Sequence, residues 1–221
     1  MRTLGKNKIR LKGILFDLDG TIVDSTKAYA FAAETAFAEL HSSNVEKRQV
    51  MEIPRRLEQN LPLDDIVKAD VPKFLKVYLR TYYAVTKTQT KPFLNVAQTL
   101  EILSRRAKLA LITMRFVPKE QVIDELEQFG LSKYFAYVIT ALDTNQPKPS
   151  PEALIECVRA LDVQMCDCVM VGDSVSDVRA GRAAGAKTVA VLTGLFGLKE
   201  LLRENPDFVL NSVTELPSII L

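Results

Sequence analysis

The sequence predicts an α/β protein in which an all-α domain is inserted into a doubly wound parallel sheet. Three observations lead to this prediction. Strand-length apolar runs alternate with amphipathic helical stretches after residue 92, a single strand-like run precedes a purely helical block, and polar side chains of similar chemistry follow several of the runs. We therefore predict an α/β core from residues 1–24 and 92–221, and an inserted helical domain from residues 25–91.

The first predicted strand is the run KGILFD at residues 12–17, which is apolar and ends in an acid. Helical spacing of apolar residues follows it as far as residue 91. The predicted helices in this block are 27–40, 45–58, 63–68 and 73–88. Pro54, Pro62 and Pro72 punctuate the block, because proline interrupts a helix interior.

After Pro92 the predicted helices and strands alternate. The predicted strands are 109–113, 137–140, 168–171, 188–191 and 208–210, and the predicted helices are 96–106, 119–129, 150–161, 175–184 and 198–203. Gly130 stands where a helix end favours a left-handed residue, while Ser150 and Pro151 suit a helix start. This alternation predicts a parallel sheet with helices on both faces.

Composition restricts the classes of function. The chain has 221 residues, of which 48% are hydrophobic and 25% charged, and its net charge of +2 argues against a nucleic-acid partner. Its apolar runs are too short to span a membrane. The apolar stretch that follows the basic residues 1–12 stops at Asp17, so we do not expect a signal peptide. Three cysteines and one histidine argue against a disulfide scaffold, a zinc site and a histidine-based triad. We expect a cytoplasmic protein, either a monomer or a homodimer.

Chemically active side chains follow four of the predicted strands. These residues are Asp17 and Asp19, Thr113, Lys148, and Asp173 and Asp177. Because the carboxyl ends of parallel strands meet at one edge of a sheet, we expect these side chains to converge. Clustered carboxylates need a compensating cation, and a few hard oxygen ligands suit Mg²⁺.

This set of groups fits the cleavage of a phosphate ester. A metal ion would neutralise the phosphate so that a carboxylate can approach it, and covalent attack by that carboxylate would divide the reaction into two easier steps. The hydroxyl and the ammonium group would hold the remaining phosphoryl oxygens.

Four segments carry a family resemblance: FDLDGTIVDS (16–25), LITMR (111–115), KPSPEAL (148–154) and VGDSVSDVRAGRAAGA (171–186). In order and spacing they resemble the four motifs of the haloacid dehalogenase-like hydrolases. The block at 25–91 resembles the cap of the phosphoglycolate phosphatase and phosphoglucomutase-like branch. The resemblance implies a Rossmann-like core, a helical cap and a Mg²⁺-dependent phosphatase with a phospho-aspartate intermediate, acting on a small phosphorylated metabolite.

The resemblance also implies a role for each residue. Asp17 would be the nucleophile, and Asp19 the general acid and base. Thr113 and Met114 would bind phosphate, and Lys148 would pair with Asp17 and the phosphoryl group. The implied metal ligands are Asp17, Asp19 through its backbone carbonyl, Asp173, and Asp177, the last through water or by orienting Lys148 instead.

Two departures from the branch concern specificity. After Thr113 the branch often has Asn, whereas this sequence has Met114, followed by Arg115. Asn60 stands where the substrate loop of the cap often has Gly. Arg115 either reaches the substrate or faces solvent. Similarly, Arg55 and Arg56 are candidate substrate contacts, with a solvated helical face as the alternative.

Other activities remain open at this stage. Phosphoglycolate, a sugar phosphate, pyrophosphate and a nucleotide are all compatible with the predicted site, so a phosphomutase, a pyrophosphatase and a nucleotidase are alternatives. Asp19 argues against a dehalogenase, because an alkyl halide has no leaving oxygen to protonate. A non-enzymatic phospho-receiver is the least favoured class, since its acid pair precedes its nucleophile in sequence.

Overall fold

The computed structural model describes residues 8–40 and 46–221. The chain divides into two compact units. One comprises the chain up to Val23 together with Pro92–Leu221, and the other comprises Asp24–Lys91. The first unit has an α/β architecture and the second is helical.

Every strand and helix predicted for the α/β unit is present to within two residues of its predicted bounds. The prediction missed three short elements, which are the strands Val23–Asp24 and Lys91–Pro92 and the helix Leu216–Ile219. In chain order the strands are β1 (Gly13–Phe16), β2 (Val23–Asp24), β3 (Lys91–Pro92), β4 (Lys108–Ile112), β5 (Tyr137–Ile139), β6 (Cys168–Gly172), β7 (Lys187–Val191) and β8 (Phe208–Leu210). The α-helices are α1 (Thr26–Glu39), α2 (Lys47–Leu57), α3 (Val71–Gln89), α4 (Val96–Ser104), α5 (Lys119–Gln128), α6 (Glu152–Ala160), α7 (Val175–Ala184), α8 (Leu198–Arg203) and α9 (Leu216–Ile219). Within the described part of the chain, none of these helices is long and apolar enough to cross a membrane.

The main sheet has six strands in the order β5-β4-β1-β6-β7-β8, and every neighbouring pair is parallel. The predicted parallel α/β sheet is thereby confirmed. β1 lies in the middle, where Phe16 pairs with Leu111 of β4 and with Val171 of β6. The residues that follow these three strands therefore emerge side by side at the same edge of the sheet.

Burial explains why the central strands are continuous apolar runs. Ile14, Leu15 and Phe16 are all fully buried, and successive side chains of a strand point to opposite faces. On the face of Leu15, the core includes Leu154 of α6 and Ala180 of α7. Both faces of the sheet must therefore be covered, as in other doubly wound folds.

The helical unit is built around a row of aromatic rings. Tyr29 of α1 stacks on Tyr82 of α3 with ring centroids 5.1 Å apart, and Phe37 meets Phe74 at 4.7 Å. Tyr78 continues the row along α3 and is buried. These rings contribute to the packing of α1 against α3, because large aromatic side chains bury much apolar surface.

The predicted helix at 63–68 is wrong. The structure has a single turn there, in which the N–H groups of Ile66 and Val67 donate to the carbonyl of Leu63. Pro62 precedes this turn, and α3 starts only a few residues later, so the segment is too short to overcome the cost of helix nucleation. Pro54, in contrast, does not end a helix, since α2 continues through it to Leu57.

Candidate active site

Three aspartates meet at the carboxyl edge of the sheet. Asp17 follows β1, and its N–H donates to the carbonyl of Val171 at 2.9 Å, which ties it to β6. Asp173 follows β6, and Asp177 lies in the first turn of α7. One carboxylate oxygen of each aspartate lies within 4.8 Å of the other two, and all three residues are buried. The structure thus brings together these three predicted site residues.

Lys148 neutralises part of this charge. Its side chain is only 1% exposed, and its Nζ donates to Asp17 Oδ1 at 2.7 Å and to Asp177 Oδ1 at 2.6 Å. The carbonyl of Ile112, at the end of β4, accepts a third and longer contact at 3.4 Å. An ammonium group has three donors, so this geometry uses its full capacity. Lys148 therefore connects three segments that are distant in sequence.

The start of α7 fixes Asp177. Ser174 is the N-cap, and its side-chain oxygen accepts from the N–H of Asp177 at 3.2 Å. In return Asp177 Oδ2 accepts from the N–H and from the hydroxyl of Ser174, at 3.0 and 2.7 Å. This capping box leaves Asp177 Oδ1 directed at Lys148, and the helix N-terminus favours the negative charge. Asp177 Oδ1 therefore contacts the ammonium group of Lys148, and its role in orienting Lys148 or in binding the metal through water stays a prediction.

Asp173 lies among backbone groups and small residues. Its Oδ1 accepts from the hydroxyl of Thr21 at 3.2 Å, and its Oδ2 accepts from the N–H of Leu195 at 3.3 Å. A Cβ atom placed on Gly194 would lie 1.6 Å from Asp173 Oδ2, so any other residue there would displace the Asp173 side chain. Sequence reasoning missed Thr21 and Gly194 as site residues. Thr21 lies in the first motif, whereas nothing local distinguishes Gly194 from a turn glycine.

A second charged cluster surrounds Asp19. Arg115 Nε donates to Asp19 Oδ2 at 2.8 Å and Arg115 Nη2 to Asp19 Oδ1 at 2.7 Å. The other edge of the guanidinium contacts Glu125 of α5, with Nη1 donating to Oε2 at 2.6 Å and Nη2 to Oε1 at 3.2 Å. The interpretation that Arg115 faces solvent is wrong, because its side chain is 4% exposed. At this position, attraction to the carboxylates of Asp19 and Glu125 compensates the guanidinium group for the loss of hydration.

Glu125 is a further residue that sequence reasoning missed. It lies on α5 between Val122 and Leu126, both of which are buried, and it is itself 2% exposed. A carboxylate on the apolar face of a helix is a signal in the sequence, because acidic residues are almost never fully buried without a partner. The sequence alone does not identify that partner.

The remaining predicted residues lie in two places. Thr113 is buried at the end of β4, where its hydroxyl oxygen accepts from the N–H of Arg115 at 3.2 Å, and Met114 is half-buried in the following loop. Arg55 and Arg56 belong to the helical unit. Arg55 pairs with Glu52 at 3.2 Å, while Arg56 contacts Glu52, the carbonyl of Pro62, and Asp65.

The three central aspartates carry two more negative charges than Lys148 compensates. A buried excess of this kind is costly unless a cation balances it. The oxygen donors are hard, few and close together, which suits Mg²⁺ better than a softer metal. The residues present therefore fit a bound Mg²⁺ ion.

Known proteins resemble this chain over most of its length. The family model described as haloacid dehalogenase-like hydrolase matches residues 14–191. A phosphoglycolate phosphatase of Vibrio parahaemolyticus is 31% identical, over 95% of this chain and 96% of its own length. The pyrophosphatase PpaX of Halalkalibacterium halodurans is 27% identical, over 96% and 98% of the two chains.

A solved structure shows the same fold. The haloacid dehalogenase-like family protein SP0104 of Streptococcus pneumoniae superposes with a TM-score of 0.78 at 20% identity, covering 93% of this chain and 96% of that one. The family match and the 31% identical relative both extend over most of the chain. The chain belongs to the haloacid dehalogenase-like hydrolases, in the branch that contains these phosphoglycolate phosphatases.

Proposed function

We propose that this enzyme is a Mg²⁺-dependent phosphatase, a phosphoric monoester hydrolase that forms a phospho-aspartate at Asp17. The observation that carries the proposal is the position of the buried Lys148 ammonium between Asp17 and Asp177, with Asp173 in the same cluster. Lys148 orients the Asp17 carboxylate, which lies at the edge of the sheet where ligands bind.

In the first step the Asp17 carboxylate attacks phosphorus and the bond to the ester oxygen breaks. The leaving oxygen takes a proton from Asp19, and the phosphoryl group stays on Asp17. In the second step a water molecule attacks phosphorus and gives a proton to Asp19. The bond between phosphorus and the Asp17 oxygen breaks, so that inorganic phosphate is released and the Asp17 carboxylate is restored. Lys148 neutralises charge on the phosphoryl oxygens, and Thr113 with the N–H of Met114 binds them.

The metal would be held by Asp17, Asp173 and the backbone carbonyl of Asp19, with Asp177 contributing through water or through Lys148. Bound there, Mg²⁺ would supply positive charge that lets an anionic nucleophile approach an anionic substrate. The excess negative charge of the cluster supports this assignment.

Residues 25–91 are proposed to act as a cap that selects the substrate. A closing cap would exclude water and strengthen the electrostatic interactions of the site. Arg55 and Arg56 stay predicted contacts of the substrate, although Glu52 already accepts a hydrogen bond from each guanidinium group.

A small phosphorylated metabolite such as phosphoglycolate is the first candidate substrate, because the 31% identical relative is named a phosphoglycolate phosphatase. Pyrophosphate is the second candidate, and a cytoplasmic location stays a prediction.

The test is the substitution Asp17→Asn, assayed by phosphate release from phosphoglycolate, pyrophosphate and nitrophenyl phosphate. We expect a folded protein whose turnover falls by more than about 10³-fold with every substrate, since the amide cannot act as the nucleophile. Asp64→Asn, at an exposed aspartate of the helical unit, is the control and should keep full activity. Chelation of Mg²⁺ should abolish activity and its return restore it. Retention of about a tenth of the activity by Asp17→Asn, or full turnover in chelator, would contradict the proposal.

A further inference from the structure

The guanidinium group of Arg115 lies between two carboxylates, Asp19 and Glu125. One edge of the guanidinium donates hydrogen bonds to the two oxygens of Asp19 at 2.7 and 2.8 Å. The other edge donates to the two oxygens of Glu125 at 2.6 and 3.2 Å. The planar fork of arginine matches a carboxylate in this bidentate way, which fixes the plane of the carboxylate as well as its distance.

The backbone of Arg115 is hydrogen-bonded as well as its side chain. Its N–H donates to the hydroxyl of Thr113 at 3.2 Å, and its carbonyl accepts from the N–H of Ala141 at 3.1 Å. Glu125 comes from a different element, α5, and anchors the guanidinium from behind. Arg115, which contacts Asp19, is therefore tied to the end of β4, to the segment at Ala141 and to α5. None of these three segments carries the attacking carboxylate.

We propose that Arg115 is a positioning residue for proton transfer by Asp19, and that Glu125 is the anchor that keeps Arg115 in place. The proposal rests on the phosphatase mechanism above, in which Asp19 gives and takes the proton. Arg115 is not required to touch the substrate in this scheme. Its contribution is to prevent rotation of the Asp19 carboxylate away from the reacting oxygen.

The fork does not by itself prevent proton exchange by Asp19. A carboxylate has two oxygens and about four lone-pair positions, of which Arg115 uses two. Orientation matters because a displacement of about 1 Å can cost about 10²-fold in rate, while general acid–base assistance as a whole is worth about 10²–10⁴-fold. Loss of the fork should therefore remove much, but not all, of what Asp19 contributes.

The experiment is a double-mutant cycle between Arg115→Lys and Asp19→Asn. Lysine keeps a positive charge opposite Glu125 but loses the bidentate fork. With an alkyl phosphate substrate we expect Arg115→Lys to lower kcat by about 10–10²-fold and to change KM by less than about 3-fold. In the Asp19→Asn background the same substitution should cost less than about 2-fold, because there is no longer a carboxylate to position.

A surface pair provides the matched control. Arg179 makes the same fork with Glu204, at 2.9 and 2.7 Å, on an exposed part of the α/β unit. Arg179→Lys should leave kcat unchanged in both backgrounds. Thermal unfolding of every variant separates a loss of rate from a loss of fold. If Arg115→Lys does not fold, Glu125→Gln takes its place in the cycle, with an expected loss of about 3–10-fold in kcat from a loosened anchor.

The outcomes are distinct. Equal losses from Arg115→Lys in both backgrounds, or no loss in either, would overturn the positioning role and leave the phosphatase mechanism standing. Near-parent activity of Asp17→Asn would overturn the mechanism and the positioning role together. A loss that disappears in the Asp19→Asn background supports the proposal, because a purely structural arginine would cost the same with or without the Asp19 carboxylate.

Discussion

Replacing Lys148 with methionine tests the electrostatics of the site without any substrate. Methionine is close to lysine in length and apolar, so it fills most of the same space without the charge. The substitution leaves Asp17 and Asp177, both buried, without the ammonium that contacts each of them at 2.7 and 2.6 Å. Asp173 lies in the same cluster and adds to the repulsion.

The structure indicates a large effect. Breaking a buried ion pair by removing one partner costs about 3–5 kcal/mol, because the other charge stays buried and uncompensated. In a protein of this size 1 kcal/mol shifts Tm by about 2–4 °C, so the expected decrease is between about 6 and 20 °C. The pair between Lys12 and Asp167 has the same length, 2.7 Å, but is exposed. Lys12→Met should therefore leave the unfolding temperature nearly unchanged, because solvent screens the charge of an exposed pair.

The measurement is thermal unfolding in chelator, followed by circular dichroism because the chain has no tryptophan. Adding Asp17→Asn to Lys148→Met should recover more than about 1 kcal/mol, since it removes one uncompensated charge. The reasoning is refuted if Lys148→Met unfolds at the parent temperature, or if Asp17→Asn lowers its stability further. Either result would mean that Lys148 does not balance the aspartates.

Two further predictions concern packing and thiol chemistry. Gly194→Ala should force Asp173 to move and should lower kcat and Mg²⁺ affinity by more than about 10-fold. Gly197→Ala is the control, because its Cβ would meet its first neighbour at 3.6 Å, and it should change neither quantity. Equal behaviour of the two variants would contradict the role of Gly194. Burial raises the pKa of Cys168 to about 11, so at pH 8 it stays a protonated, unreactive thiol, while the exposed Cys166 is alkylated. Mapping by mass spectrometry should show labelling of Cys166 but not of Cys168 at pH 8, and equal labelling of the two would contradict this.

Much of the fold could be predicted because buried segments are apolar, and apolar segments can be recognised in the sequence itself. The strands of the sheet are buried on both faces and therefore appear as short apolar runs, and β1 and β6 end directly before Asp17 and Asp173. Parallel pairing then brings the residues after these strands to one edge, so the meeting of the aspartates with Lys148 follows from topology. The error at 63–68 arose where helical spacing was present but the segment was too short to form a helix.

The sequence by itself determined the α/β class, the order of the motifs, and which carboxylates would gather at the edge of the sheet. Only the tertiary structure decided that Arg115 turns inward to hold Asp19, that Glu125 anchors it, and that Gly194 makes room for Asp173. The physical reason is one of range. Periodicity along the chain records whether a side chain is buried, whereas its partner depends on which distant segment the fold places within a few ångströms of it.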